Sequence, residues 1–329
     1  MNQVASESPY ALLFPGQGSQ KVGMGKLLYE SSPAARAVFD EADEVLGERL
    51  SALCFEGDAA ELSLTANTQP AILTCSIAAL RVFEERLQPK LGAPAVCVGH
   101  SLGEFSALVA AGALRFADAL RLVRIRGQAM QEAVPAGVGA MAAILGCPAD
   151  ALEDMCNSIS AEAEGEGEES VSPANENGGG QIVVAGHAGA VARLVAAVKR
   201  YGEEHGAKVR AIPLQVSAPF HCGLMSPAAD RLRAALDDVS IAPLKVPVIA
   251  NVDAEPYPGV EAVKDRLVRQ VTSRVRWEAT VQRLVQRQGL ARGFEIGHGR
   301  VLAGLCRRID RAFKVTGLGA PADFDRLAA

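Results

Sequence analysis

The chain has 329 residues, 49% of them apolar and 22% charged, with a formal net charge of −5. That length buries a sizeable core and fits one large domain or two smaller ones. Mild acidity without a block of Lys or Arg excludes the usual signatures of nucleic-acid and anionic-membrane binding, and no apolar run is long enough to span a bilayer.

Seven cysteines (54, 75, 97, 147, 156, 222 and 306) are scattered and odd in number, and no pair has zinc-ligand spacing. They read as buried reduced thiols. The segment from Met1 to Glu7 has neither a basic n-region nor an apolar h-region. A cytoplasmic protein is expected.

In chain order, Tyr10 to Phe14 reads as a strand running into the turn-rich loop Pro15-Gly16-Gln17-Gly18-Ser19-Gln20. Residues 24–47 and 70–88 have the pattern of amphipathic helices. A strand at 94–98 follows, then helices to about Val134. Beyond Pro135-Ala136-Gly137 the pattern changes: strand Gly139 to Leu145, helix 148–162, an acidic loop at 162–169 and a short extended piece from Val171 to Ala174. Residues 175–180 read as a turn, followed by strand Gln181 to Ala185, helix 188–204 and strand Val209 to Val216. This β-α-β-β-α-β order is the ferredoxin-like pattern. After it come a loop at Pro219-Phe220-His221, helix 227–239, strand Val246 to Ala250 and helices 259–272 and 277–289. Phe294 to Ile296 reads as the last strand and 301–309 as the final helix. The expected fold is α/β: an α/β-hydrolase-like main domain with a parallel sheet and a nucleophile elbow (1–135 and 212–329), and an inserted ferredoxin-like α+β subdomain (136–211).

The chemistry starts at Gly99-His100-Ser101-Leu102-Gly103, between the strand and the helix from Glu104. A serine on such a turn is held out of the backbone with a helix N-terminus beneath it. Chance alone gives about 0.2 such pentapeptides in a chain of this composition, so the strand and helix around it carry the inference. A serine hydroxyl needs a base. Of five histidines, His221 ranks first and His298 second from their loops, while His187 and His205 read as surface or capping residues. No aspartate obviously completes a triad. Asp253 and Asp230 are the candidates, and a backbone or amide oxygen could orient the histidine equally well.

Eight motifs occur in order: Phe14 to Gln20, Thr68-Gln69-Pro70-Ala71, Gly99 to Glu104, Arg124-Ile125-Arg126-Gly127, Pro173-Ala174-Asn175, Val216 to His221, Asn251-Val252-Asp253 and Glu295-Ile296-Gly297. Together they resemble the malonyl-CoA:acyl carrier protein transacylases of bacterial fatty-acid synthesis, and the acyltransferase domains of polyketide synthases. The resemblance runs from about residue 10 to 310. It implies Ser101 as nucleophile, His221 as base and acid, and backbone N–H groups of Gln17 and Leu102 as the oxyanion hole. It implies Arg126 as the carboxylate clamp, Gln69 and Asn175 as residues lining the site, and the main-chain carbonyl of Gln270 as the orienter of the histidine. Phe220 would crowd a methyl branch on the acyl group. The resemblance further implies malonyl-CoA and phosphopantetheine-carrying acyl carrier protein as substrates, with no metal and no other cofactor. The chain is expected to be a monomer. The carrier, an acidic protein, would dock on basic residues, with Lys208, Arg210, Arg307 and Arg308 as candidates and the acidic 162–169 loop turned away. His298 and Arg274 stand where relatives usually have proline. Two rivals share the motif: a serine thioesterase or other hydrolase, and a carrier- or CoA-binding module with an idle site.

Overall fold

The computed structural model describes residues 8–162 and 169–328. The acidic run therefore lies outside the described residues except at its ends. Nine strands occur among them: β1 (Tyr10–Phe14), β2 (Val96–Gly99), β3 (Gly139–Leu145), β4 (Val171–Gly178), β5 (Gln181–His187), β6 (Arg210–Pro213), β7 (Val248–Ile249), β8 (Arg292–Ile296) and β9 (Lys314–Leu318). They form two sheets. The first is wholly parallel, in the order β7-β2-β1-β8-β9. The second is wholly antiparallel, in the order β4-β5-β3-β6.

Side-chain alternation builds the layers. In β1, Tyr10, Leu12 and Phe14 face one apolar cluster and Ala11 and Leu13 another, so the parallel sheet is buried on both sides. In β3, Ala142 and Ile144 pack with helices Ala149–Ala161 and Ala188–His205. Met141 and Ala143 face the other way, in a smaller cluster that includes Cys222. The small sheet thus has one face for its own helices and one turned to the segment that carries His221.

Several elements differ from the sequence expectation. The helix expected at 24–47 is two helices, Lys26–Ser31 and Pro33–Leu46. Extended Ser32 caps the second, accepting from the Ala35 N–H, and Pro33 opens it. The helix expected from residue 70 begins earlier, spanning Thr65–Arg86 with Pro70 inside. Pro70 has no N–H to give the Ala66 carbonyl, and Arg124 donates to that oxygen instead, at 2.9 Å. Residues 175–178 are not a turn. β4 continues through them because Val275 N–H donates to the Ala174 carbonyl and Glu176 N–H to that of Val275. The helix expected at 277–289 changes character part-way, from α (Trp277–Gln282) to π (Arg283–Arg287). β8 is not the last strand, since β9 lies beside it, and helix Pro321–Ala328 follows the one at Val301–Ile309. Among the described residues no helix is long and apolar enough to cross a membrane.

Candidate active site

The serine turn is built by close contact. A Cβ on Gly99 would lie 1.9 Å from the Gly103 carbonyl carbon, and one on Gly103 would lie 2.0 Å from the Phe14 carbonyl oxygen. Only glycine lets β2, β1 and helix Gly103–Ala110 approach so closely. Between them Ser101 sits at φ 50°, in the left-handed region. Asn251, just after β7, fixes this turn. Its Oδ1 accepts from the Ser101 N–H at 2.7 Å, and its Nδ2 donates to the Gly99 carbonyl at 2.7 Å.

Ser101 Oγ lies 2.7 Å from His221 Nε2. His221 is also left-handed, at φ 62°, and is buried. Its Nδ1 lies 2.8 Å from the Gln270 main-chain oxygen. An oxygen can only accept, so Nδ1 carries the proton and Nε2 is left to accept from the serine hydroxyl. Burial, then the nearby Arg126 charge, push His221 down to about 3, so it is a neutral base at physiological pH. The aspartates considered for a triad lie elsewhere: Asp253 pairs with Arg266 at 2.8 Å and Asp230 is exposed. A carbonyl does the orienting instead.

Arg126, on helix Phe116–Glu132, is 1% exposed. Its Nη1 donates to Gln69 Oε1 and its Nη2 to Gln270 Oε1, both at 2.8 Å. Nη2 also reaches Ser101 Oγ at 3.2 Å. A guanidinium has five N–H groups, so this set leaves donors over. Nε makes no hydrogen bond among the described residues. A cation beside an acyl nucleophile, held by neutral amides, can receive a planar carboxylate in a fork.

These groups open on a cleft of about 470 Å³ that Gln17, Gln69, Ser101, Leu102, Arg126, Asn175, Phe220 and His221 all border. The Gln17 loop lies against the serine turn, where a Cβ on Gly16 would be 2.4 Å from the His100 carbonyl oxygen, and neither the Gln17 nor the Leu102 backbone N–H donates to another group among the described residues. Met141 and Val183 of the antiparallel sheet roof the cleft. Of the basic docking candidates, Arg308 borders it, while Lys208, Arg210 and Arg307 do not. His298 is not part of the lining.

The acyl transferase domain family matches residues 11–314. A malonyl CoA-acyl carrier protein transacylase of Bacillus subtilis (strain 168) is 49% identical over 95% of this chain and 94% of its own. The chain belongs to the malonyl-CoA:acyl carrier protein transacylase family. Among solved structures, the transacylase from Xanthomonas oryzae pv. oryzae aligns with a TM-score of 0.89 at 42% identity, covering 98% of each chain. A malonyl-transacylase in complex with a type II PKS acyl-carrier protein aligns at 0.88 and 42%, covering 97% of this chain and 98% of that one.

Within the transacylase site, some residues have roles that motif reading did not assign. The Gln270 side chain, not only its carbonyl, takes part: Nε2 donates to the Ser101 carbonyl at 2.9 Å and to Glu104 Oε2 at 2.6 Å. Asn251 and Glu104 stood in the recognised motifs without a role. Their signal was polarity at positions flanked by apolar residues, which forces a buried partner. His100 Nε2 meets Asn177 Oδ1 at 2.9 Å and ties the serine turn to β4. Arg274, a departure from the transacylase pattern, pairs with Glu153 at 2.5 Å and Glu176 at 2.8 Å, and so joins the main layer to the small sheet.

Proposed function

We propose that this chain transfers the malonyl group of malonyl-CoA to the phosphopantetheine thiol of acyl carrier protein, through a malonyl ester on Ser101. The observation that carries this reading is Arg126 Nη2 at 3.2 Å from the nucleophile Oγ, with that Oγ 2.7 Å from a neutral histidine. A serine hydroxyl with a base to take its proton can attack any thioester. A guanidinium at its side selects an acyl group ending in a carboxylate.

His221 Nε2 takes the Ser101 proton as Oγ attacks the thioester carbon. The oxyanion is received by the N–H groups of Gln17 and Leu102. The intermediate collapses, the C–S bond breaks, and His221 returns the proton to the departing CoA sulfur. An imidazolium in so dry a site is a strong acid, which suits that second transfer. The malonyl ester is then held through its carboxylate on Arg126, with Gln69 and Asn175 along the pocket wall. The pantetheine thiol gives its proton to His221, attacks the ester carbon, and Ser101 leaves with that proton. Phe220 beside the α-carbon disfavours a methyl branch.

The scaffold proposed for this chemistry is an α/β-hydrolase-like domain of residues 1–135 and 212–329, the serine turn being its nucleophile elbow. A ferredoxin-like subdomain, 136–211, is inserted in it. The sheet order β6-β3-β5-β4 within a β-α-β-β-α-β unit supports the second assignment, with β6 running through Ile212 and Pro213, just past that boundary.

Intact mass after mixing with malonyl-CoA tests the reading. A malonyl adduct that is absent from Ser101→Ala and passes to added carrier protein is expected. Rapid hydrolysis of malonyl-CoA with nothing passed on would replace the reading by a thioesterase, and no adduct at all by a binding module.

A further inference from the structure

Arg126 has an uncommon set of partners for a buried cation. Among the described residues its hydrogen bonds go to two amide oxygens and a serine hydroxyl, not to a carboxylate. A carboxylate stands one amide further back. Glu104, 0% exposed, accepts from Gln270 Nε2 at 2.6 Å and from the Asn251 N–H at 3.1 Å through Oε2, and from the Tyr257 hydroxyl through Oε1. Gln270 therefore spans the two charges, Nε2 on Glu104 and Oε1 on Arg126. An ionised carboxylate can only accept, so it admits only the NH₂ end of that amide and turns the oxygen toward the guanidinium.

We propose that Glu104 is the resident counter-charge of Arg126, a positioning residue set behind Gln270 so that it balances the guanidinium without occupying the fork that receives an acyl carboxylate. The assignment rests on the malonyl-transfer reading. A buried guanidinium with no anion nearby is costly. A carboxylate placed directly on it would compete with the substrate. An intervening amide satisfies both requirements, because charge acts over several ångströms while a hydrogen bond acts only at contact. Mutual attraction favours the charged form of each group, against a burial that raises Glu104 to about 7 and lowers Arg126 to about 10. The same geometry makes Glu104 oppose an incoming malonyl carboxylate, which must share the one cation.

Glu104→Gln separates charge from shape. Its oxygen can still accept from Asn251 and Gln270, and its NH₂ can turn to the Tyr257 oxygen. The half-saturation concentration for Ser101 acylation is measured with malonyl-CoA and with acetyl-CoA by single-turnover mass analysis at about pH 8.5, where a carboxyl at about 7 is ionised. For malonyl it is expected to fall by about 3- to 10-fold, with acetyl unchanged within about twofold. Tyr257→Phe, which takes one donor from the carboxylate and so favours its neutral form, is expected to shift malonyl the same way by about 2- to 3-fold. Equal changes for both acyl groups mean a merely structural residue and overturn the assignment, as does a malonyl value that rises. A wild-type protein that forms no malonyl ester overturns the transfer reading and this assignment together. A wild type that loads, with no split between acyl groups in either variant, overturns this assignment alone.

Discussion

Two arginines two residues apart on helix Phe116–Glu132 lead different lives. Arg124 faces the outer side, where Nη1 donates to the Ala66 carbonyl and to Asn67 Oδ1, at 2.9 and 2.7 Å, and Nη2 pairs with Glu48. Arg126 faces inward onto amides and the serine hydroxyl. Positions i and i+2 lie on different faces of a helix, so the two share a sequence neighbourhood and no environment. Arg124 has its charge met by groups of the protein itself, one of them a carboxylate. Arg126 is held by neutral groups that fix it without neutralising it. The difference shows what makes a buried charge available to a ligand: partners that orient it and leave its charge for another carboxylate.

The largest effect belongs to the group that Arg126 touches. Ser101→Ala should abolish the acyl adduct and lower transfer of every acyl group by roughly 10³-fold or more. Intact mass and turnover with carrier protein read it. Residual transfer of malonyl alone would mean that Arg126 serves some other nucleophile, and the comparison would lose its basis.

Arg126→Ala comes next. Malonyl transfer should drop by about 100-fold, or roughly 3 kcal/mol, with acetyl transfer kept within a few-fold. Arg126→Lys should not restore it, since an ammonium offers no planar fork. The measurement is kcat/KM for the two acyl-CoAs. Equal losses would demote Arg126 to a packing residue like any other buried side chain on this helix.

A third test uses protons. His221 has a folded pKa of about 3 against 6.5 free, so the unfolded chain binds more protons across that window. Stability present above pH 6.5 is lost as pH falls through that window. Glu104 runs the other way: its folded value of about 7 lies above its ordinary 4.5, so acidification over that range adds stability. The two trends offset each other in wild type and separate in variants. From pH 7 to pH 5, His221→Asn should gain roughly 2 kcal/mol relative to wild type, and Glu104→Gln should lose a similar amount. Urea unfolding at the two pH values checks both. Part of the His221 shift comes from Arg126, so Arg126→Ala should reduce the histidine's share of this pH dependence.

How much of this was legible in the sequence follows from how local each feature is. The serine turn was legible because its glycines, serine and flanking strand are contiguous. β1, β3 and the alternation of strands and helices were legible for the same reason. The Gln270 carbonyl came from family resemblance, but its side chain did not, because an amide's partners are set by three other segments that meet only in the fold. β9 was missed since Lys314-Val315-Thr316-Gly317-Leu318 carries a weak apolar pattern, as an edge strand with one neighbour can. The strand at 175–178 was hidden by Asn and Gly, residues of turns, and is held in place by backbone pairing near Val275 rather than by propensity. Arg121, Arg124 and Arg126 were equivalent by spacing, and only the resemblance singled out the third.

Arg124→Ala is the smallest effect and the control for the whole comparison. Its pair with Glu48 is half-exposed at the acid's end, which limits its worth. The lasting part is its bond to the Ala66 carbonyl, the oxygen that Pro70 leaves without a donor. Removing it should cost about 1 kcal/mol of stability and leave the malonyl-to-acetyl ratio of transfer unchanged. Substituting Pro70 as well, by Ala, returns an N–H to that carbonyl and should recover most of the loss. Urea unfolding of the single and double variants, beside their acyl selectivity, decides the point. A selectivity change in Arg124→Ala would mean that the outer arginine also acts on the acyl carboxylate, and the division between a cation paired with a carboxylate and an available one would fail.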